Sequence, residues 1–343
     1  MLGRRKWQIG VIGLALWSHA VACSVVHADR QSQNGALPAK QATRVVTDEA
    51  GRRITVPAEI ERIVSLAPSL TEIVYSLGIS EKLVGDTVYC DSPEAATEKP
   101  HVGSPLSPNM EAIVALRPDI VLVTAIDRRE TVTVLERLGI AVYESDPHTV
   151  RQTLDSIATM SQLLGAGQAG AEILTRLQAR LDALHARLAD RPLVHVLFVV
   201  WEDPLQSVGP NTIIADALRW AGAESVVVSR GDWPHVSMEE VVRLQPEYIV
   251  LTRSHIRADS AQVAELAKRP VWKSLRAVET GHVVVLSQEV ARPSPGLIDD
   301  IEALARVVHP EAFAPDGKNA SLGKDRNFTA MANNFQERAA CVR

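Results

Sequence analysis

A fifteen-residue window occurs twice in this chain, and the repeat constrains the fold more than any other feature. Met110-Glu111-Ala112-Ile113-Val114-Ala115-Leu116-Arg117-Pro118-Asp119-Ile120-Val121-Leu122-Val123-Thr124 aligns without gaps on Met238-Glu239-Glu240-Val241-Val242-Arg243-Leu244-Gln245-Pro246-Glu247-Tyr248-Ile249-Val250-Leu251-Thr252. Met, Glu, Val, Leu, Pro and Thr recur at matching places. Each copy reads as a short helix, a proline that cannot continue it, and an apolar run of strand length. A chain built twice from such a unit is expected to form two related βα lobes, each around a parallel sheet.

The surrounding pattern agrees. Ile63 to Leu66 is a buried-strand run, followed by a helical stretch from Leu70 to Leu77 that stops at Gly78. Further strands are expected from Val84 to Tyr89, Ile140 to Tyr143, Val194 to Val200 and Val283 to Leu286. Two β-prone runs flank Glu49-Ala50-Gly51, a hairpin signal. Between Gly167 and Arg191 the rhythm changes: Leu174, Leu177, Leu181, Leu184 and Leu188 form one apolar stripe on a long helix. Such a helix of about 22 residues reaches roughly 33 Å. The expected architecture is therefore α/β, with two βα sandwich lobes joined by one long backbone helix. The boundaries read as 44–166 for the first lobe, 167–191 for the helix and 192–310 for the second lobe, with a linker over 29–43 and a disordered tail over 311–343.

The N-terminus carries an export signal over residues 1–28. Arg4, Arg5 and Lys6 precede the apolar run Ile9 to Trp17, which is too short to span a bilayer comfortably. Two processing sites compete. Ala20-Val21-Ala22-Cys23 resembles a lipobox, which would lipidate Cys23; Val26-His27-Ala28 fits ordinary signal peptidase and would leave Asp29 first. Either way the mature chain is expected in the periplasm, free or lipid-anchored. Cys90 and Cys341 read as unpaired thiols.

A formal net charge of −5 gives no support to nucleic-acid binding. Gly165-Ala166-Gly167-Gln168-Ala169-Gly170 matches the dinucleotide fingerprint by letter, but it follows a helical segment where the fingerprint needs a strand, so it reads as a helix–helix turn. No nucleophile elbow, Walker loop or zinc-ligand spacing is present, and His101, His148, His235 and His255 have no acid or nucleophile at a telling spacing. No enzyme activity is expected. The informative residues lie in loops, most of them after strands, where open α/β sheets bind ligands: Ser69, Tyr89, Trp201, Trp233 and Arg292. Aromatics are only 4% of the chain, so aromatic loop residues there point to a large, flat, partly apolar ligand.

The segments from Ile63 to Glu72, Tyr89-Cys90-Asp91-Ser92-Pro93, Asn109 to Ile113, Trp233-Pro234-His235-Val236-Ser237 and Arg292-Pro293-Ser294-Pro295 resemble the class of periplasmic binding proteins for iron complexes and cobalamin, whose two lobes are joined by one rigid helix. The resemblance covers about Arg44 to Pro310. It implies capture of cobalamin or a related corrinoid, with haem or a ferric siderophore as the alternative, and delivery to the dimeric permease of an ABC importer and its ATPase. It implies no catalytic cofactor and no resident metal; cobalamin is cargo. Tyr89, Trp233 and Arg292 match family positions around the corrin ring. Glu111 and Glu239 match the glutamates, one per lobe, that dock onto permease arginines. The chain departs at Gly103-Ser104-Pro105-Leu106, where the cobalamin binders carry a tryptophan; Trp201 is the candidate to compensate.

Overall fold

The computed structural model describes residues 42–125, 129–252 and 259–314. The export signal with Cys23, most of the linker, His255 and Cys341 lie outside them. Among the described residues, no helix is long and apolar enough to cross a membrane.

Two four-stranded parallel sheets have the same order of strands. In the first, Leu83–Gly85, Ile63–Ser65, Ile120–Thr124 and Ala141–Ser145 lie side by side; in the second, Ala223–Ser225, Val194–Val199, Tyr248–Thr252 and Val283–Leu286 do. Both run second, first, third, fourth in chain order. Alternate residues enter different cores: Ile120 and Leu122 face one side, Val121 and Val123 the other, and Val196 and Phe198 are split in the same way from Leu197 and Val199. Sheets buried on both faces account for the unbroken apolar runs.

The repeat survives in fine detail. Each copy begins with a side-chain cap: Asn109 Oδ1 accepts from the Ala112 N–H at 3.0 Å, and Ser237 Oγ from the Glu240 N–H at 3.1 Å. Each helix is stopped by a non-glycine residue in the left-handed region, Arg117 (φ 47°) and Gln245 (φ 44°), and these are the only two such residues described. Each precedes a proline, which disfavours the right-handed helical region for the residue before it. Next, Asp119 and Glu247 accept backbone N–H bonds from the entry to the first strand of their own sheet, at Arg62 (2.8 Å) and His195 (2.9 Å). Cap, stop and tie recur together, so the two lobes are copies of one unit.

The long helix is Gly167–Leu188, 22 residues, with Leu177, Leu181, Leu184 and Leu188 buried and Leu174 partly buried. These leucines belong to one contiguous core with Ile63 and Ile120 of the first sheet and Val196 and Val250 of the second. The preceding helix, Val150–Leu163, packs against it. Gly165 (φ +76°) turns the chain between the two, and a Cβ on Gly170 would overlap the Ser161 side chain. Close helix packing thus accounts for the glycines that mimic a dinucleotide fingerprint.

Two expectations shift. The strand expected from Val84 to Tyr89 ends at Gly85, because Asp86 and Val88 bond instead to Pro100 and Gly103 and leave the sheet. The first residues of the stretch expected as a tail are ordered: Pro310–Phe313 is a 3-10 turn, and the Phe313 ring lies under the guanidiniums of Arg187 (5.0 Å) and Arg306 (4.7 Å), while the remainder of that stretch lies outside the described residues. Cation–ring contacts between distant residues leave no periodicity to read.

Candidate functional site

A cleft of about 370 Å³ opens across the C-terminal edges of both sheets. The first lobe contributes Pro68, Tyr89 and Pro105. The second contributes Phe198, Val200, Ile214, Thr252, Ala291 and Arg292. Topology brings them together: Pro68, Val200, Thr252 and Ala291 each sit at or just past the C-terminal end of a parallel strand, where loop residues meet at an open edge. The lining is mostly apolar, with one phenol, one threonine and one guanidinium.

Of the sequence-predicted residues, Tyr89 and Arg292 line this cleft. Ser69 does not; it is buried in the first turn of the helix Pro68–Ser76, and its neighbour Pro68 supplies the surface. Trp201 and Trp233 lie outside the lining and are the two most exposed tryptophans described, at 63% and 49%. They are nonetheless joined. Trp201–Glu202 pairs antiparallel with Leu205–Gln206, and Gln206 bridges to His235. Residues directly opposite across antiparallel strands share a face, so Trp201, Gln206 and His235 form one row. The Gln206 amide donates to the Trp233 carbonyl at 3.2 Å, and the Trp201 indole N–H to the Asp203 carbonyl at 2.8 Å. This ribbon starts immediately after the cleft residue Val200 and is tied down by Glu202 to Arg269 at 2.8 Å.

Phe198, Ile214, Pro105 and Ala291 were not found from sequence, being indistinguishable there from core residues. Thr252 carried a signal, since it is the shared last residue of the repeat.

Arg292 is not a lone cation. Its Nη1 lies 3.0 Å from both Glu72 Oε1 and Asp91 Oδ1, two residues of the first lobe. Ser294 Oγ donates to the other Glu72 oxygen at 2.5 Å. A charge-assisted tie thus crosses between the lobes at the edge of the cleft.

The Tyr89 loop has its own support. Asp86 is fully buried; its Oδ1 is 2.8 Å from His101 Nδ1, and its Oδ2 has no hydrogen-bond partner. Burial pushes the Asp86 carboxyl up to about 6, against the lowering influence of His101 and Lys99. Its folded value lies above the ordinary 3.8, so the native state takes up a proton as pH falls through about 6. Ionised Asp86 therefore costs stability above pH 6, and that cost is relieved toward pH 4. Asp86→Asn should gain stability over the parent at pH 7.5 and lose most of that advantage at pH 4.5, a swing on the order of 2 kcal/mol. Urea denaturation at the two pH values checks it; a difference independent of pH would reject the buried-charge account. Cys90, nearby, is free and buried, with its thiol 3.2 Å from Thr71 Oγ1 and its pKa raised by burial.

Glu111 and Glu239 are each the second residue of their capped helices, and both are exposed. Neither forms an ion pair among the described residues, whereas Glu240 reaches Arg243 at 3.8 Å. Among the described residues, no group of three or more His, Cys, Asp or Glu side chains could hold a metal ion.

Comparison with known proteins follows this geometry. A family model described as periplasmic binding protein matches residues 63–290. A cobalamin-binding protein of Halobacterium salinarum is 29% identical over 273 residues, 76% of this chain and 73% of its own. The crystal structure of the periplasmic vitamin B12 binding protein BtuF of Vibrio cholerae superposes with a TM-score of 0.66 at 26% identity, over 75% of this chain and 99% of its own. A periplasmic heme binding protein from Pseudomonas aeruginosa gives the same TM-score, 0.66, and the same identity, 26%, over 78% and 99%.

Proposed function

This chain belongs to the periplasmic binding protein family, and from that premise we propose that it captures cobalamin or a related corrinoid between its two lobes and delivers it to an ABC importer. The observation that carries the reading is the cleft at the C-terminal edges of both sheets: its apolar lining, with Tyr89 on one wall and the Trp201–Trp233 ribbon beside the other, suits a broad, flat ligand with a polar rim. The cobalamin and vitamin B12 binders among its relatives favour a corrinoid within that class. Capture and release need no bond-making residues.

On this reading Tyr89, Trp201, Trp233 and Arg292 contact the ligand, with Ser69 behind the cleft wall. Glu111 and Glu239 meet arginines of a two-fold symmetric permease, for which one like carboxylate on each repeated lobe is the matching arrangement. The mature chain works in the periplasm, free from Asp29 or held by a lipid on Cys23. Haem is the second reading, favoured by the Tyr89 phenol, whose oxygen is a suitable iron ligand, and by the equal likeness to a heme binder.

Calorimetric titration with cyanocobalamin, haemin and a hydroxamate siderophore tests the assignment. Saturable binding of cyanocobalamin, tighter than that of the other two, is expected. Preferential binding of haemin, with loss of its absorbance shift in Tyr89→Phe, would replace the corrinoid reading by the haem one.

A further inference from the structure

Arg292 is engaged by two first-lobe carboxylates of very different exposure. The contact with Glu72 is largely buried: 15% of the Arg292 side chain and 8% of the Glu72 side chain are exposed, and buried Ser294 donates to the other Glu72 oxygen. Asp91, 3.0 Å from the same Nη1, is 45% exposed. The lobes are also held elsewhere. Asp216 Oδ2, two residues beyond the cleft residue Ile214, accepts the Val150 N–H of the first lobe at 2.8 Å. The leucine-striped helix shares one core with both sheets. Parting a buried ion pair leaves an uncompensated charge and is costly, whereas an exposed pair is weak and screened by salt. The Asp91 contact is therefore the part of this tie that opens most readily while the lobes stay in place.

Asp91 lies two residues past Tyr89, on the loop that brings that phenol to the cleft. Of residues 88–95, Cys90 alone is buried; Val88 and Tyr89 are each 57% exposed. A segment with so few buried side chains opens locally at low cost. We propose that Asp91 is a positioning residue that latches the Tyr89 loop onto Arg292 of the second lobe, and that opening of this latch, with the lobes fixed, sets how fast ligand leaves the cleft. The inference rests on the cleft assigned above and adds a route of release to it. Arg292 then has two tasks: it lines the cleft and it holds the second lobe's half of the latch. Asp91 itself does not line the cleft.

The test follows release of cyanocobalamin from the full mature chain by stopped-flow fluorescence. Asp91→Ala should speed release about two- to fivefold, the range an exposed ion pair supports, and melt like the parent. Asp91→Glu keeps the charge and should release more slowly than Asp91→Ala. Raising NaCl from about 0.05 M to about 1 M should speed release from the parent and do little in Asp91→Ala, where no latch remains to be screened. A salt effect arising from Arg292 and the ligand alone would persist in that variant. In ligand-free protein, amide exchange over residues 86–93 should be faster in Asp91→Ala than in the parent or Asp91→Glu. Parent-like release by Asp91→Ala, an equal salt effect in both proteins, or unaltered exchange overturns the latch and leaves the corrinoid reading standing. An expansion of Asp91→Ala in small-angle scattering overturns the fixed-lobe route. A parent that binds no cyanocobalamin removes the corrinoid reading instead, and release of haemin, measured in the same way, then decides the latch.

Discussion

A chain carrying Glu111→Ala and Glu239→Ala should bind its ligand and melt like the parent, yet fail to support uptake. Both carboxylates sit on exposed first turns, neither pairs with a described residue, and neither lines the cleft. Their only evident local effect is a favourable placement near the positive end of a short helix, worth a few tenths of a kcal/mol up to about 1 kcal/mol. At an interface the balance differs. Removing one partner of a buried, hydrogen-bonded charge pair costs roughly 2–5 kcal/mol, much of it from leaving the arginine unpaired. Two such losses, one per lobe, should reduce binding to the permease by several orders of magnitude. Glu240 is the internal control, because its counterpart in the first copy is Ala112 and it already has Arg243 within 3.8 Å. Glu240→Ala should transport normally. Ligand affinity, thermal melting and uptake measured on the three variants decide the matter; undiminished uptake by the double variant, or loss of its ligand affinity, would refute the docking assignment.

The second large effect is expected at the aromatic ribbon. Trp201 and Trp233 are exposed at 63% and 49%, so a ligand that covers them converts open aromatic surface into contact. Each ring in good apposition contributes on the order of 1 kcal/mol beyond the area it buries. Trp201→Ala with Trp233→Ala should therefore weaken cyanocobalamin binding by roughly 10- to 100-fold. Both side chains are exposed, so the fold should keep its melting temperature within a few degrees. In the parent, ligand should also quench tryptophan fluorescence, because these two rings become covered while Trp272 stays in the core. Parent-like affinity in the double variant, with Tyr89→Ala also silent, would mean that the ligand binds elsewhere.

The repeat, most of the sheet strands and the long leucine-striped helix were legible from the chain alone. These features arise from interactions between residues a few positions apart: helical and strand periodicity and proline stops. Local rules sufficed for them, and they sufficed as well to dismiss the glycine-rich dinucleotide look-alike. They also marked Tyr89 and Arg292 as loop residues worth attention, because each follows a strand of a parallel sheet.

What local rules could not supply is which loops converge. Arg292 meets Glu72 across 220 positions of sequence, and that contact turns a free cation into one engaged by two carboxylates. Trp201 and Trp233 share a ribbon only because Gln206 pairs with Trp201 on one side and bridges to His235 on the other. Phe198, Ile214 and Ala291 become cleft wall only once the second sheet has closed beside the first, and Ser69 is buried in the first turn of its helix while Pro68 faces the cleft. An apolar residue at a strand end carries the same letter whether it faces a core or a cleft. The choice between them is made by the path of the whole chain, through burial and hydrogen bonds between residues that sequence order keeps far apart.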